Sequence, residues 1–325
     1  MAQIKITLPR LRLIRARQIP DRWGANYVAS TWATPVEAPS ISIASQLTPA
    51  KLGGRDFHCL SKPEASASLL ALYNPNVWDL HEQKMMSVTA RPHYLYGHEM
   101  CVGMQFPVLQ GTVDVADRMG MLSKHPKVTM RKPESPGEVL SVPFPYIGDL
   151  LLFAQDDRGP YLVNWPIKDK KENFRRQGPR PFGQPRSHGD DETAIRRQLL
   201  EATYFADGGI RTQQVAGEDI DPVLDRNLQR LFLDHRRNVS ADDETQSRLL
   251  EFYRSAIGAD IKIHDVLREG AGRFSLSEED AKNILHQGIW ERKIRVDLFR
   301  ILLTDKPLRA EIEDVLVRYS AWFAR

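Results

Sequence analysis

The sequence predicts an α/β protein, a mixed β-sheet flanked by helices, followed by a smaller and mainly helical domain. Three observations predict it. The middle of the chain alternates strand and helix signals, the last hundred residues space most of their apolar side chains at helical intervals, and 325 residues exceed what one ordinary core accommodates. The expected divisions are an extended arm over residues 1–50, an α/β domain over 51–222 and a winged-helix-like domain over 223–325.

The arm comes first. "IKITLPRLRLI" alternates like an edge strand, and "STWATPVEAPSISIASQLTPAK" is punctuated by Pro and Ser, which suggests extended chain lying over a neighbouring domain. In the second zone, "SKPEASASLLALYNP" reads as a short helix. Ser61 is its N-cap, Pro63 and Glu64 stand in its first turn, an apolar face runs from Leu69 to Leu72, and Asn74-Pro75 closes it. "NVWDLHEQKMMSV" reads as a strand and "TVDVADRMGML" as a short helix ending at Gly120. "VLSVPFPYIGDLLLFAQ" and "PYLVNWPIK" form a strand pair, "DETAIRRQLLEATYFADGG" a helix stopped by Gly208-Gly209, and "IRTQQVAGEDI" a final strand. In the third zone, "PVLDRNLQRLFLDHRR", "DETQSRLLEFYRSAI" and "SEEDAKNILHQGIWERK" read as helices, and "KIRVDLFRILLTD" as a strand pair or wing. A small helical domain that contacts only protein fits this zone equally well.

Composition narrows the function classes. Apolar content of 42% with 27% charge is that of a soluble globular protein, and no apolar run approaches the length of a membrane span. Cys59 and Cys101 are the two cysteines, without CxxC spacing or a Cys/His cluster, so neither a disulfide framework nor a structural zinc site is expected, and a reducing cytoplasm fits best. There is no P-loop and no dinucleotide-binding glycine fingerprint. Net charge of +3 says little by itself, but its distribution says more. From Lys168 to Arg186 seven basic residues face only Asp169 and Glu172. Lys170, Lys171, Arg175, Arg176 and Arg180 lie in this Pro- and Gly-rich stretch, which reads as a mobile loop able to grip phosphates, or as a solvated loop.

The strand pair poses the chemical question. Asp149 stands near the start of one strand and Lys168 at the end of the next, where packing alone has no use for charge. Phosphodiester hydrolysis uses a hard cation held by carboxylate and carbonyl oxygens, with a lysine to orient water or stabilise developing charge. Glu64, Asp149 and Lys168 supply those parts, although such a trio alone is weak evidence.

The order of motifs adds to it. "HCLSKPEASASLLALYNPNVWDLHEQKMM", "DVADRMGMLSKHP", the Asp149 and Lys168 strands, and "RRQLLEATYFADGGIRTQQVAGEDIDPVLDRNLQRL" together resemble the TnsA-type endonuclease subunits of heteromeric cut-and-paste transposons, over roughly residues 52–235. "ILHQGIWERKIRVDLF" loosely resembles the end of that family. The resemblance implies a restriction-endonuclease-like fold and cutting of the element's 5′ ends, the non-transferred strand. A separate integrase-like transposase cuts and joins the 3′ ends, and an AAA+ ATPase contacts the carboxy-terminal domain. Carried over by position, Glu64 and Asp149 bind Mg²⁺, or Mn²⁺ in its place, and Lys168 is the catalytic lysine.

This chain departs from the family two residues before Lys168, where Pro166 replaces an expected Gln, Glu or Asp. Proline offers no side-chain ligand and marks an edge or bulge. Asn164 or the backbone carbonyl of Ile167, with water, could complete the metal's oxygen shell. A decayed site leaves open a non-catalytic scaffold bridging transposase and ATPase, and a third reading is a winged-helix DNA-binding protein whose amino-terminal domain senses a partner. His81, His93, His98 and His125 lack metal-ligand spacing and read as packed or surface histidines, while Glu82 and Glu201 read equally as site support or as structural carboxylates.

Overall fold

In a computed structural model, residues 6–39, 43–131, 139–176 and 191–325 are described. The elements in chain order are α1 (Leu8–Gln18), β1 (Ser45–Leu47), β2 (Phe57–Cys59), α2 (Lys62–Tyr73), β3 (Val77–Glu82), α3 (Thr112–Arg118), β4 (Lys127–Arg131) and β5 (Val139–Pro143). They continue with β6 (Leu150–Asp156), β7 (Gly159–Trp165), β8 (Ile167–Lys168), α4 (Glu192–Asp207), β9 (Arg211–Thr212) and β10 (Val215–Ala216). Six helices follow: α5 (Pro222–Asp234), α6 (Asp243–Ser255), α7 (Ile263–Phe274), α8 (Glu278–Trp290), α9 (Val315–Arg318) and α10 (Ser320–Phe323). The chain is mixed α/β, and among the described residues no helix is long and apolar enough to cross a membrane.

Two compact units share the chain. One comprises Met1–Ala67, Asn76–Glu218 and Phe323–Arg325, and the other Ser68–Pro75 and Asp219–Trp322. In the first unit β3, β6, β7 and β9 form a four-stranded sheet in the order β3-β6-β7-β9, with β3 and β7 antiparallel to β6 and β9 parallel to β7. A parallel neighbour needs a crossover, and α4 supplies it. One face of the sheet packs Leu151, Phe153 and Leu162 against Leu200, Tyr204 and Phe205 of α4. The amphipathic spacing in that helix therefore serves to cover the sheet.

The amino-terminal expectation is corrected. Within "IKITLPRLRLI", Ile4 and Lys5 lie outside the described residues, and residues 8–14 belong to α1 and not to an edge strand. Thr7 caps it through its hydroxyl, Pro9 sits in the first turn, and the buried Leu11 and Ile14 are three residues apart, a helical interval. They pack with Met85, Val128 and Phe144.

In the second unit α8 packs against α5, α6 and α7. Three of these helices match the sequence expectation, whereas α7 carried no assignment. The expected wing is corrected: among the described residues, 293–305 form no strand, and Val296 makes one isolated antiparallel bridge to Ala310. The physical reason is that side chains take the carbonyls a ribbon would use. Asn227 Nδ2 donates to Leu298 O and Arg300 O at 2.9 and 2.8 Å, and Arg230 donates to Leu302 O at 2.7 Å.

Candidate metal-dependent nuclease site

The antiparallel registers align Glu82, Leu150 and Trp165 in the last paired row of the sheet. Gln83, Asp149 and Pro166 are the next residues outward, and the candidate site is built there.

Glu64 arrives from the first turn of α2. Ser61 Oγ donates to its Oε1 at 2.9 Å while the Glu64 N–H reaches back to Ser61 Oγ at 3.4 Å, a variant of the helix-capping box in which the carboxylate takes the Ser61 hydroxyl in place of its backbone N–H. Its Oε2 accepts from Leu60 N at 2.9 Å and from Gln83 Nε2 at 3.0 Å. Gln83 has a left-handed backbone, φ 51°, rare for a residue with a side chain. That turn also brings its N–H to Asp149 O at 2.9 Å. Burial and the Asp149 carboxylate push Glu64 up to about 7, against the opposing pull of the Leu60 N–H, the Ser61 hydroxyl and Lys168.

Asp149 Oδ2 accepts the Ile167 N–H at 2.7 Å and Lys168 Nζ at 3.1 Å. The same ammonium donates to Ile167 O at 2.7 Å. A single positive charge thus rests on two of the oxygens that the sequence proposed as metal ligands. Lys168 therefore contacts Asp149 directly, and Glu64 lies within electrostatic reach of both.

Pro166 is the point at which the strand divides. β7 ends at Trp165 against β6, and β8 begins at Ile167 against β10, while Pro166 O accepts from Val215 N at 3.0 Å. Asn164, on the face toward α4, is 1% exposed. Its Nδ2 donates to Glu201 Oε1 at 3.0 Å and to Thr212 Oγ1 at 3.4 Å, and its Oδ1 is buried without a hydrogen-bond partner. Glu201 is held by Arg197, which donates to its Oε2 at 2.9 Å and to Ile147 O at 3.0 Å. Burial raises the Glu201 pKa, and nearby Asp149 adds to the shift while Arg197 opposes it.

Among the described residues no group of three or more His, Cys, Asp or Glu side chains is arranged to hold a metal ion. The donors present are the Glu64 and Asp149 carboxylates and the Ile167 carbonyl, a hard-oxygen set of the kind Mg²⁺ takes while keeping several waters. In that sense the residues fit the ion.

The basic residues are less gathered. Lys170, Lys171 and Arg175 are exposed, and Arg176 pairs with Glu172 at 2.8 Å. Lys171–Phe174 form a single 3₁₀ turn, whereas Arg180, Arg186 and most of the expected loop lie outside the described residues.

The histidines have packing roles. His81 stacks on Tyr27 at 3.8 Å between ring centres, hydrogen-bonds Asp79 at 3.2 Å, and is held down to about 4 by burial. His93 stacks on Phe106, and His125 bonds Thr112 at 3.0 Å. Glu82 is bound twice by buried Arg55 at 2.8 Å, which makes it a structural ion pair. Gln83 and Arg197 are the site neighbours that sequence reasoning missed. The Ser-x-x-Glu spacing announces the capping box, but nothing in the sequence announces a left-handed Gln83.

No family model matches the chain, and no curated protein matches it.

Proposed function

We propose that the chain is a metal-dependent DNA endonuclease of a transposition machinery, cutting the 5′ ends of an element together with an integrase-like transposase under an AAA+ ATPase regulator. The observation that supports it best is the convergence of Lys168 Nζ, Asp149 Oδ2 and Ile167 O beside Glu64, whose pKa is raised first by burial and then by the neighbouring Asp149 carboxylate. Half-buried charges gathered in this way, with a shifted carboxylate among them, are a candidate functional site.

Glu64, Asp149 and the Ile167 carbonyl would hold Mg²⁺ or Mn²⁺, which when bound polarises the scissile phosphate and lowers the pKa of water. The chain's own residues then have distinct tasks. Gln83 orients the Glu64 carboxylate, and the Ile167 N–H orients that of Asp149. Lys168, already on Asp149 and Ile167, is placed to turn its ammonium toward negative charge developing on a phosphate. The exposed Lys170, Lys171 and Arg175 would meet the DNA backbone.

The test is strand-specific cutting of element-end DNA by the purified chain and its transposase in Mg²⁺ and in Mn²⁺. Cuts at the 5′ ends, absent in Asp149→Asn, are expected. Identical products from wild type and Asp149→Asn would sink the proposal.

One observation favours a non-catalytic scaffold. The capping box alone accounts for Glu64, and Lys168 already satisfies Asp149 and Ile167 O, so the site is bonded internally without a ligand.

A further inference from the structure

Three oxygens face one point beside Gly148. A β-carbon at that glycine would have as its nearest neighbours Glu201 Oε1 at 3.5 Å, Asn164 Oδ1 at 3.6 Å and Lys84 O at 3.7 Å. Lys84 O already accepts Gly148 N at 2.8 Å, and Glu201 Oε1 accepts Asn164 Nδ2 at 3.0 Å. Asn164 Oδ1 has no partner although its residue is almost wholly buried. A buried acceptor left unpaired costs roughly 1–3 kcal/mol, and here it stands among other acceptors, with no donor hydrogen among the three nearest atoms. Such a set is completed by a species that offers positive charge.

We infer that Glu201 Oε1, Asn164 Oδ1 and the Lys84 carbonyl, gathered around Gly148, form a second divalent-cation position next to the Asp149 site. The donor chemistry is that of a hard cation: one carboxylate, one amide and one backbone carbonyl, with water for the remaining sites. Position favours it as well, because Glu201 and Asp149 influence each other electrostatically, so two cations would share a local excess of carboxylate. Gly148 is the residue immediately before Asp149, and its lack of a side chain leaves the three oxygens accessible to one ion. Arg197 holds the other Glu201 oxygen, which leaves Oε1 oriented toward Asn164 and Gly148. This inference deepens the nuclease reading and rests on it for what the ion would do, but not for its binding.

Gly148→Ala is the direct probe. The added methyl meets its neighbours at ordinary van der Waals distance, so the variant should fold, and the methyl stands where the ion would approach. Mn²⁺ binding is counted by electron paramagnetic resonance on wild type, Gly148→Ala, Glu201→Gln and Glu64→Gln, with melting in EDTA as the folding check. Gly148→Ala is expected to lose one equivalent that Glu64→Gln retains, and Glu201→Gln to bind that equivalent at least tenfold more weakly. Equal stoichiometry in wild type and Gly148→Ala overturns the inference, as does unchanged affinity in Glu201→Gln should Gly148→Ala not fold; either result assigns the three oxygens to water only. Loss in Gly148→Ala with none in Glu64→Gln leaves this position standing and removes support from the Glu64 metal reading instead.

Discussion

The Ile167 backbone N–H is bonded to Asp149 Oδ2 at 2.7 Å, so the carboxylate at the head of β6 anchors the two-residue strand that begins after Pro166. Asp149 therefore has a structural duty besides any catalytic one. Asp149→Ala leaves the Ile167 N–H without its acceptor and the Lys168 ammonium with only the Ile167 carbonyl, and should cost about 1–3 kcal/mol, whereas Asp149→Asn keeps an oxygen in place and should cost less. Both should abolish metal-dependent cutting. Denaturant unfolding alongside the cutting assay separates the two effects, and full activity in Asp149→Asn would remove Asp149 from the chemistry.

Glu64 gives a pH dependence with a definite sign. Its folded-state pKa of about 7 lies above the ordinary carboxylate value, so between the two the folded chain keeps a proton that the unfolded chain releases. Stability from this group is full below pH 4.5 and is lost as pH rises through 7. Glu64→Gln should therefore gain up to about 3 kcal/mol relative to wild type at pH 8 in EDTA, less whatever its amide loses against the Leu60, Ser61 and Gln83 donors. The pH-dependent part of that difference should vanish below pH 4.5, leaving only the amide's own loss. Because buried His81 titrates in the opposite sense, the quantity to follow is the variant-minus-wild-type difference. A difference that does not change with pH would show that Glu64 is ionised at ordinary carboxylate pH.

What was legible in the sequence follows from which forces are local. The α2 cap, the α4 stop at the glycine pair and the β6–β7 pairing rest on neighbours in the chain, and they stand as read. The trio Glu64, Asp149 and Lys168 was legible because polar residues interrupt otherwise apolar elements. The α1 helix was misread because "IKITLPRLRLI" satisfies both periods, and Pro9 together with burial against Phe144 decides for the helix. The wing failed because Asn227 and Arg230, some seventy residues earlier in the chain, claim its carbonyls. The left-handed Gln83 and the orphaned Asn164 oxygen depend on three-dimensional convergence and have no sequence signature.

The basic residues after Lys168 should show themselves in salt dependence. Each phosphate contact contributes about −0.9 to the slope of log affinity against log salt on duplex DNA. Replacing Lys170, Lys171 and Arg175 by Gln should flatten that slope by about 2 to 3 and should leave melting almost unchanged, since all three side chains are exposed. Arg176, engaged with Glu172, should contribute less. Fluorescence anisotropy at several salt concentrations reads the slope, and an unaltered slope in the triple variant would exclude backbone contacts from these side chains.

Pro166 decides between enzyme and scaffold. It follows the last residue paired with β6, and its carbonyl is used by Val215, so the strand tolerates a residue without an N–H there. What proline withholds is a side-chain oxygen near Asp149. Asn164 does not supply it, because its Nδ2 is committed to Glu201 and Thr212 and its Oδ1 lies beside Gly148. The Ile167 carbonyl remains, presently bonded by Lys168, and water can take the other coordination sites. An active wild type should therefore bind the ion weakly, requiring millimolar-range Mg²⁺ or preferring Mn²⁺. Pro166→Gln adds an oxygen donor on the same alternating face as Asn164 and Lys168, and it should lower the half-saturating Mg²⁺ concentration by roughly tenfold, about 1.4 kcal/mol, without being required for cutting. Titrating Mg²⁺ in the strand-cutting assay measures both proteins. If neither wild type nor Pro166→Gln cuts in Mg²⁺ or Mn²⁺ with all partners present, the internally bonded cluster of Glu64, Asp149 and Lys168 is structural, and the chain bridges transposase and ATPase without chemistry of its own.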